Sequence, residues 1–317
     1  MQDMREWLES RQVSIYFITV VIAALVACVV PAATLLEPGI NPALALMLFV
    51  TFLQVPLTEL GKALTQIRFF AALLLTNFVV LPALVGLSVG YLGLDPLLTL
   101  GVLLVLLTPC IDYVVTFAHL GRADARLLLA ATPALLIVQM LLLPVYLGLF
   151  LGEAGAGLVQ LGPFVHAFVW LIALPLVLAG LVQAWAARQA AGAWTATRLG
   201  LLPVPATALV LFVVIASVVP QLGTAIGSVR QVIPIYVVFA ILAPLVGWGM
   251  ARLFGLEPAA GRAIAFSAGT RNSLVVLPLA LAVPEAVPIL PAIIVTQTLV
   301  ELVGELIYVR MIPRLRA

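Results

Sequence analysis

Carboxylates, a guanidinium and a thiol stand inside apolar runs of this chain, where a polar group needs a reason. Cys110 and Asp112 occur in Leu107-Thr-Pro-Cys-Ile-Asp-Tyr113, inside an apolar run from Pro96 to Leu120. Arg271 and Asn272 occur in Ser267-Ala-Gly-Thr-Arg-Asn-Ser273, inside a second run from Arg262 to Val283. Glu301 lies in a third run, with Gln297 one helical turn before it and Glu305 one turn after, all on one face. A charge at the centre of a bilayer costs at least about 2.5–3.5 kcal/mol, so such groups pair or face water. Arg271 at the depth of Asp112 and Glu301 predicts pairing with one or both. That pair reads in two ways: a structural salt bridge locking crossing helices, or a binding and coupling centre. Glu301 alone also fits a neutral carboxyl hydrogen-bonded between helices.

Cys110 has two readings as well. A lone buried cysteine is commonly a small hydrophobe. A thiolate level with Arg271 is a ligand, and a soft thiolate suits a thiophilic metalloid better than a hard cation. Cys28 has no polar company and keeps the first reading. Two cysteines far apart in apolar runs exclude a disulfide framework.

The elements that hold these residues are interrupted helices. Pro109 removes a backbone hydrogen bond, and in hydrocarbon the freed carbonyl must find another partner. Gly269 interrupts the second run at the matching place, 160 residues later. Two broken helices at corresponding positions in two halves mark the substrate site of a secondary transporter. The fold class predicted is therefore an all-α polytopic membrane protein with crossing, discontinuous helices 4 and 9. Of its 317 residues 64% are hydrophobic and only 9% charged, with a mean hydropathy of +1.27; a soluble domain carries about a quarter charged residues.

Runs able to cross about 30 Å of hydrocarbon fall at 14–36, 40–56, 69–91, 96–119, 127–151, 164–187, 201–220, 233–255, 262–284 and 287–310. With the N-terminus inside, every lysine and arginine except Arg230 and Arg271 lies in a cytoplasmic segment, while Glu37, Asp95, Glu153 and Glu285 fall in outer loops. The positive-inside rule then puts both termini in the cytoplasm, and the location expected is the cell's inner membrane. Ten spans divide at the linker 187–200 into two sets of five, which an odd number inverts. The organisation expected is a cytoplasmic N-terminus 1–13, a first repeat 14–151, an external loop 152–163, a second repeat 164–312 and a cytoplasmic C-terminus 313–317. In this register Gln139 falls opposite Gln297 to Glu301. Spans 4, 5, 9 and 10 are expected to bundle, with spans 1–3 and 6–8 as scaffold. The polar segment Gln221 to Gln231 reads as a loop, and Asn77 and Thr76 as isolated sites satisfied between helices.

A net charge of +2, scattered along the chain, gives no footprint for nucleic acid. No metal-ligand spacing, nucleophile elbow or phosphate loop supports an enzyme or a resident cofactor.

The ten spans, the broken pair and Gly-Thr-Arg-Asn-Ser at 269–273 resemble the bile acid:sodium symporter superfamily. Thr108-Pro-Cys-Ile-Asp-Tyr-Val, with Leu299-Val-Glu301 in the last span, resembles its arsenite-efflux branch, the arsenical-resistance permeases. The resemblance implies export of arsenite, and of antimonite, in exchange for protons. It assigns the essential cysteine of span 4 to Cys110 as the As(III) ligand and the essential glutamate of span 10 to Glu301. Asp112, Arg271 and Asn272 then join Cys110 at the substrate, and Asp112 and Glu305 join Glu301 in proton coupling. Departures sharpen the expectation. Where sodium-coupled members carry a glutamate and a glutamine, this chain has Ser267 and Arg271; a permanent guanidinium fills the place of a bound cation and turns the coupling toward protons. Pro109 replaces a common arginine, Asp112 is an added charge, and the second break lacks the usual Asn-Asn. An organic-anion transporter with Arg271 holding a carboxylate is the alternative, followed by a channel or a non-transporting sensor.

Overall fold

The computed structural model describes residues 2–54, 66–111, 113–155, 162, 165–166, 169–283 and 288–315. Asp112 lies outside the described residues, as do Lys62, Glu285 and most of the loop 152–163. Among the described residues the regular structure is helical. In chain order the helices are α1 (Gln2–Ser10), α2 (Gln12–Val29), α3 (Ile40–Gln54), α4 (Ile67–Leu92), α5 (Pro96–Leu106), α6 (Val114–Leu120) and α7 (Ala125–Gly155). They continue as α8 (Leu174–Ala186), α9 (Ala190–Leu199), α10 (Pro203–Val218), α11 (Leu222–Leu253), α12 (Pro258–Gly269), α13 (Ser273–Leu281) and α14 (Ile289–Met311).

Among the described residues seven helices are long and apolar enough to span a membrane, and they fall on predicted spans 1, 2, 3, 5, 7, 8 and 10. Spans 4 and 9 are each divided, into α5 with α6 and into α12 with α13. Local chemistry sets the ends. Asp95 caps α5 by accepting the Leu97 N–H at 2.9 Å, and Pro96 takes the first turn, where no N–H is needed. Gly93 closes α4 at a positive φ of 56°.

Three boundaries differ from expectation. The first span stops at Val29 because Val30 is extended and Pro31 opens a tight 3-10 stretch, Pro31–Gly39, that leads into α3. Glu37 is thus helical rather than in a loop. Between α10 and α11 only Val219–Gln221 departs from α-helix, so the segment Gln221 to Gln231 is almost wholly helical. The expected linker 187–200 contains α9.

The chain forms two compact units, each drawing on both halves of the sequence. The first comprises Met1–Val55, Gln160–Ile226 and Leu277–Val295; in it α2 and α3 pack on α10, and α8 packs on α3. The second comprises Pro56–Val159, Gly227–Val276 and Thr296–Ala317; in it α5 and α6 pack on α7, and α12 packs on α4, α6 and α7. Leu277–Val295 groups with the first unit, whereas spans 3 and 8 group with spans 4 and 5 and with the parts of spans 9 and 10 up to Val276 and from Thr296. Their own residues explain this: α4 supplies Asn77 to α12, and α11 presents Gly247 to it.

Within the second unit one device occurs twice. Pro82 has no N–H for the Phe78 carbonyl four residues back, and the Tyr146 hydroxyl donates to that carbonyl instead. Pro244 leaves the Ala240 carbonyl open in the same way, and Tyr308 donates to it. Each residue of the second set lies 162 positions after its counterpart.

The α11–α12 approach depends on Gly247, where a Cβ would fall 2.7 Å from the Ala268 Cβ and 2.9 Å from the Ile264 carbonyl. Gly247→Leu should therefore lower stability by about 1–3 kcal/mol. Gly227→Ala, with nothing within 4 Å of the new Cβ, should cost nothing. Thermal unfolding of both variants in detergent checks the pair, and equal midpoints would remove the packing argument.

Candidate functional site

The two breaks meet. Cys110 N–H donates to the Thr270 carbonyl at 3.0 Å, and Asn272 N–H donates to the Thr108 carbonyl at 2.8 Å. Pro109 and Arg271 thus form an antiparallel bridge. Threonines shape both ends. The Thr108 hydroxyl donates to the carbonyls of Leu104 and Val105 at 2.9 and 3.0 Å, and the Thr270 hydroxyl to that of Phe266 at 2.7 Å. The Val105 and Phe266 carbonyls also accept the backbone N–H of the same threonine, at 3.2 and 3.0 Å, so each hydroxyl adds a second donor at its helix end. The helix persists through Gly269 and breaks at Thr270, whose φ of −107° and ψ of 127° are extended. The matching residue of Pro109 is therefore Arg271, 162 positions on, rather than Gly269 at 160. Gly269 serves packing, since its Cβ would lie 2.8 Å from both Pro244 and Tyr308.

Arg271 is completely buried. Its Nη2 donates to the carbonyls of Ser267 and Ala268, both at 2.7 Å, and to Asn77 Oδ1 at 2.9 Å. Its Nη1 reaches the Leu106 carbonyl at 3.3 Å, and the guanidinium stands 5.4 Å from the centre of the Phe239 ring. The C-terminal ends of α5 and α12, both partially negative, converge on this one cation. Among the described residues it has no ion pair with a carboxylate. The expected salt bridge to Glu301 is replaced by a different link: Glu301 Oε2 accepts the Arg271 backbone N–H at 2.6 Å. The guanidinium turns instead to the carbonyl ends, which carry the nearer negative potential.

Glu301 ties the two breaks together. Its Oε1 accepts from the Tyr113 hydroxyl on the first segment, and its Oε2 accepts from Arg271 N–H on the second and from Gln297 Nε2 at 2.7 Å. Ser273 in turn donates to Gln297 Oε1. Glu305, one turn on, accepts from the Thr270 hydroxyl, and its other oxygen has no partner among the described residues. Three donors on Glu301 are what an ionised carboxylate, with acceptor capacity only, requires.

Comparison with known proteins adds the family. Residues 41–226, more than half of the chain, match the Sodium Bile acid symporter family. The chain belongs to the sodium bile acid symporter family. No curated protein matches it. Members of the sodium bile acid symporter family are transporters, not enzymes, and this chain is by that membership a multi-pass membrane transporter of small solutes.

The matched stretch of the symporter family includes Asn77, Cys110 and Tyr113, and ends before Arg271 and Glu301. Cys110 is fully buried in the bridge, while Cys28 is exposed. Asn272 is buried, and its Nδ2 has no partner among the described residues. The structure thus brings Pro109, Cys110, Gly269, Arg271, Asn272, Glu301 and Glu305 to one crossing. Sequence reasoning missed Tyr113 and Thr270 as carboxylate partners, and treated Asn77 as an isolated site. Asn77 in fact joins α4 to Ser267 Oγ at 3.0 Å and to Arg271. Its polarity in an apolar span was the visible signal; the partner was not.

Proposed function

We propose that the chain exports arsenite, and antimonite with it, from the cytoplasm in exchange for protons. It does so as a ten-span inner-membrane transporter of two inverted five-helix repeats, 14–151 and 164–312, with both termini cytoplasmic. The recurrence of the proline–tyrosine device and of the bridge residues in one 162-residue register supports the repeats. The observation that carries the substrate reading is a fully buried thiol in the bridge beside a carboxylate bonded to both broken segments.

In this scheme a conformation that opens a path to Cys110 admits As(OH)3 from the cytoplasm. The Cys110 sulfur bonds to arsenic, and one hydroxyl leaves as water with the thiol proton. Asn272 Nδ2 supplies a donor to a remaining hydroxyl, and Asp112 stands two residues from the thiol. A proton from outside reaches Glu301, directly or through Asp112 or Glu305. A protonated Glu301 surrenders at least one of its three donors, which loosens the tie between Tyr113 and Arg271 and allows the segments to move. Arsenic is released by the reverse exchange with water.

Arg271 has a supporting part. Its guanidinium already fills a cage of three carbonyl oxygens and Asn77, so the crossing needs no free cation. Its Nε, however, has no hydrogen-bond partner among the described residues, and Nη1 makes only the 3.3 Å bond, so a donor edge remains that an organic carboxylate could use. The sodium and arsenite dependence of uptake separates the two readings. Everted vesicles carrying the protein should accumulate arsenite when a pH gradient is imposed, equally well with sodium or potassium as the external cation. Uptake that requires sodium, or none at all by folded protein, would refute the reading.

A further inference from the structure

Gln139 on α7 is 1% exposed, and neither its Oε1 nor its Nε2 has a hydrogen-bond partner among the described residues. A buried primary amide with neither end satisfied is costly, because it has left water and received nothing in return. The register of the second unit explains how this arises. Gln139 lies 162 residues before Glu301, the same interval that separates Pro109 from Arg271, Phe78 from Ala240 and Tyr146 from Tyr308. Glu301 is held by the Arg271 N–H. The residue in the equivalent place for Gln139 is Pro109, which has no N–H to give. The Tyr113 hydroxyl that also binds Glu301 has its counterpart in Val275, which has no polar group. The partners that satisfy the glutamate are therefore missing for the glutamine, on a helix that packs against α5 and α6, which flank the segment carrying Cys110.

We propose that Gln139 is a substrate-binding residue whose amide completes its hydrogen bonds on a neutral, hydroxyl-bearing solute held at Cys110. An amide offers one acceptor and two donors and no charge, and a hydroxyl both donates and accepts. The match is to an undissociated polyhydroxy species rather than to an anion, which would meet the acceptor oxygen unfavourably. This deepens the proposed function and rests on it for the identity of the solute as As(OH)3; the unsatisfied amide itself does not depend on it. α7 packs on α5 and α6, the two helices that flank the first break, so Gln139 is carried by a rigid element.

The test compares wild type, Gln139→Leu and Gln139→Asn, purified for thermal unfolding without arsenite and reconstituted for arsenite uptake. Gln139→Leu should unfold at the same or a higher temperature, because an unpaired amide is gone. Its KM for arsenite should rise about tenfold, the worth of a hydrogen bond or two. Gln139→Asn should keep part of the affinity at wild-type stability. A lower midpoint for Gln139→Leu with unchanged KM would overturn the proposal and make the amide structural. Arsenite uptake by wild type with no change of KM in either variant would do the same. If wild-type protein carries no arsenite, the failure lies with the proposed function. The unfolding midpoint of Gln139→Leu then decides alone, a rise supporting an amide kept for a ligand and a fall opposing it.

Discussion

Cys110→Ser should lower arsenite uptake, measured as kcat/KM, by at least about a hundredfold, which corresponds to about 2.7 kcal/mol at one decade per 1.36 kcal/mol. The reason is the bond exchanged. A thiol replaces an As–O bond by an As–S bond, a soft donor for a thiophilic centre. A serine hydroxyl replaces one As–O bond by another, gains nothing from the exchange, and competes with water for the position. The contact that builds the bridge runs from the Cys110 backbone N–H to the Thr270 carbonyl, and serine retains it. Serine is slightly smaller and fits the same space. Cys28→Ser, at an exposed position, should leave uptake unchanged and serves as the control. Wild-type kinetics in Cys110→Ser would return the thiol to the role of a small hydrophobe and leave arsenite without its ligand.

What the sequence could reveal follows from how strongly hydrocarbon restricts polar groups. Pro109, Cys110, Arg271, Asn272, Glu301 and Glu305 were visible because each breaks an apolar run, and they do converge at one crossing. Depth could be read from the rise per residue, but lateral contacts could not. Arg271 was expected to face an acid, because charge pairing is the cheapest assumption. Its guanidinium instead caps the carbonyl ends of α5 and α12, an option that exists only once two helices stop at the same place. The break itself was placed at Gly269 because glycine marks a weak helix, whereas the helix runs through Gly269 and turns extended at Thr270, where the backbone pairs with the first segment instead. Pairing Pro109 with Gly269 gave an interval of 160 in place of 162, so Gln139 could be placed opposite Gln297 to Glu301 but not matched to Glu301 itself. Spans 3 and 8 were expected in the scaffold because only spans 4, 5, 9 and 10 carried the breaks and their polar company, while Asn77 read as an isolated site and Gly247 gave no signal. Both matter only against a partner helix distant in sequence.

Glu301→Gln should separate movement of arsenite from its coupling to protons. In the folded protein Glu301 is surrounded by donors: the Tyr113 hydroxyl, the Arg271 N–H and Gln297 Nε2. A carboxylate accepts from all three, whereas a glutamine keeps one acceptor oxygen and turns an NH2 toward donors. At least one buried hydrogen bond is lost, a cost of about 1–3 kcal/mol for the group left unsatisfied, visible as a lower unfolding midpoint. The consequence for transport is larger. The amide cannot exchange a proton, so the tie between the first and second broken segments is fixed in a partly loosened state, independent of pH. Vesicles with Glu301→Gln should equilibrate arsenite across the membrane yet fail to concentrate it, the ratio of internal to external arsenite falling to about one under a pH gradient that the wild type uses. Glu305→Gln should behave differently, because Glu305 makes one hydrogen bond, to Thr270, and its second oxygen has no donor against it. An amide fits there without opposing donors, so the unfolding midpoint should hold, and any loss of accumulation would report proton passage alone. Should Glu301→Gln still concentrate arsenite while Glu305→Gln does not, the coupling carboxylate is Glu305, and Glu301 is only the clasp of the crossing.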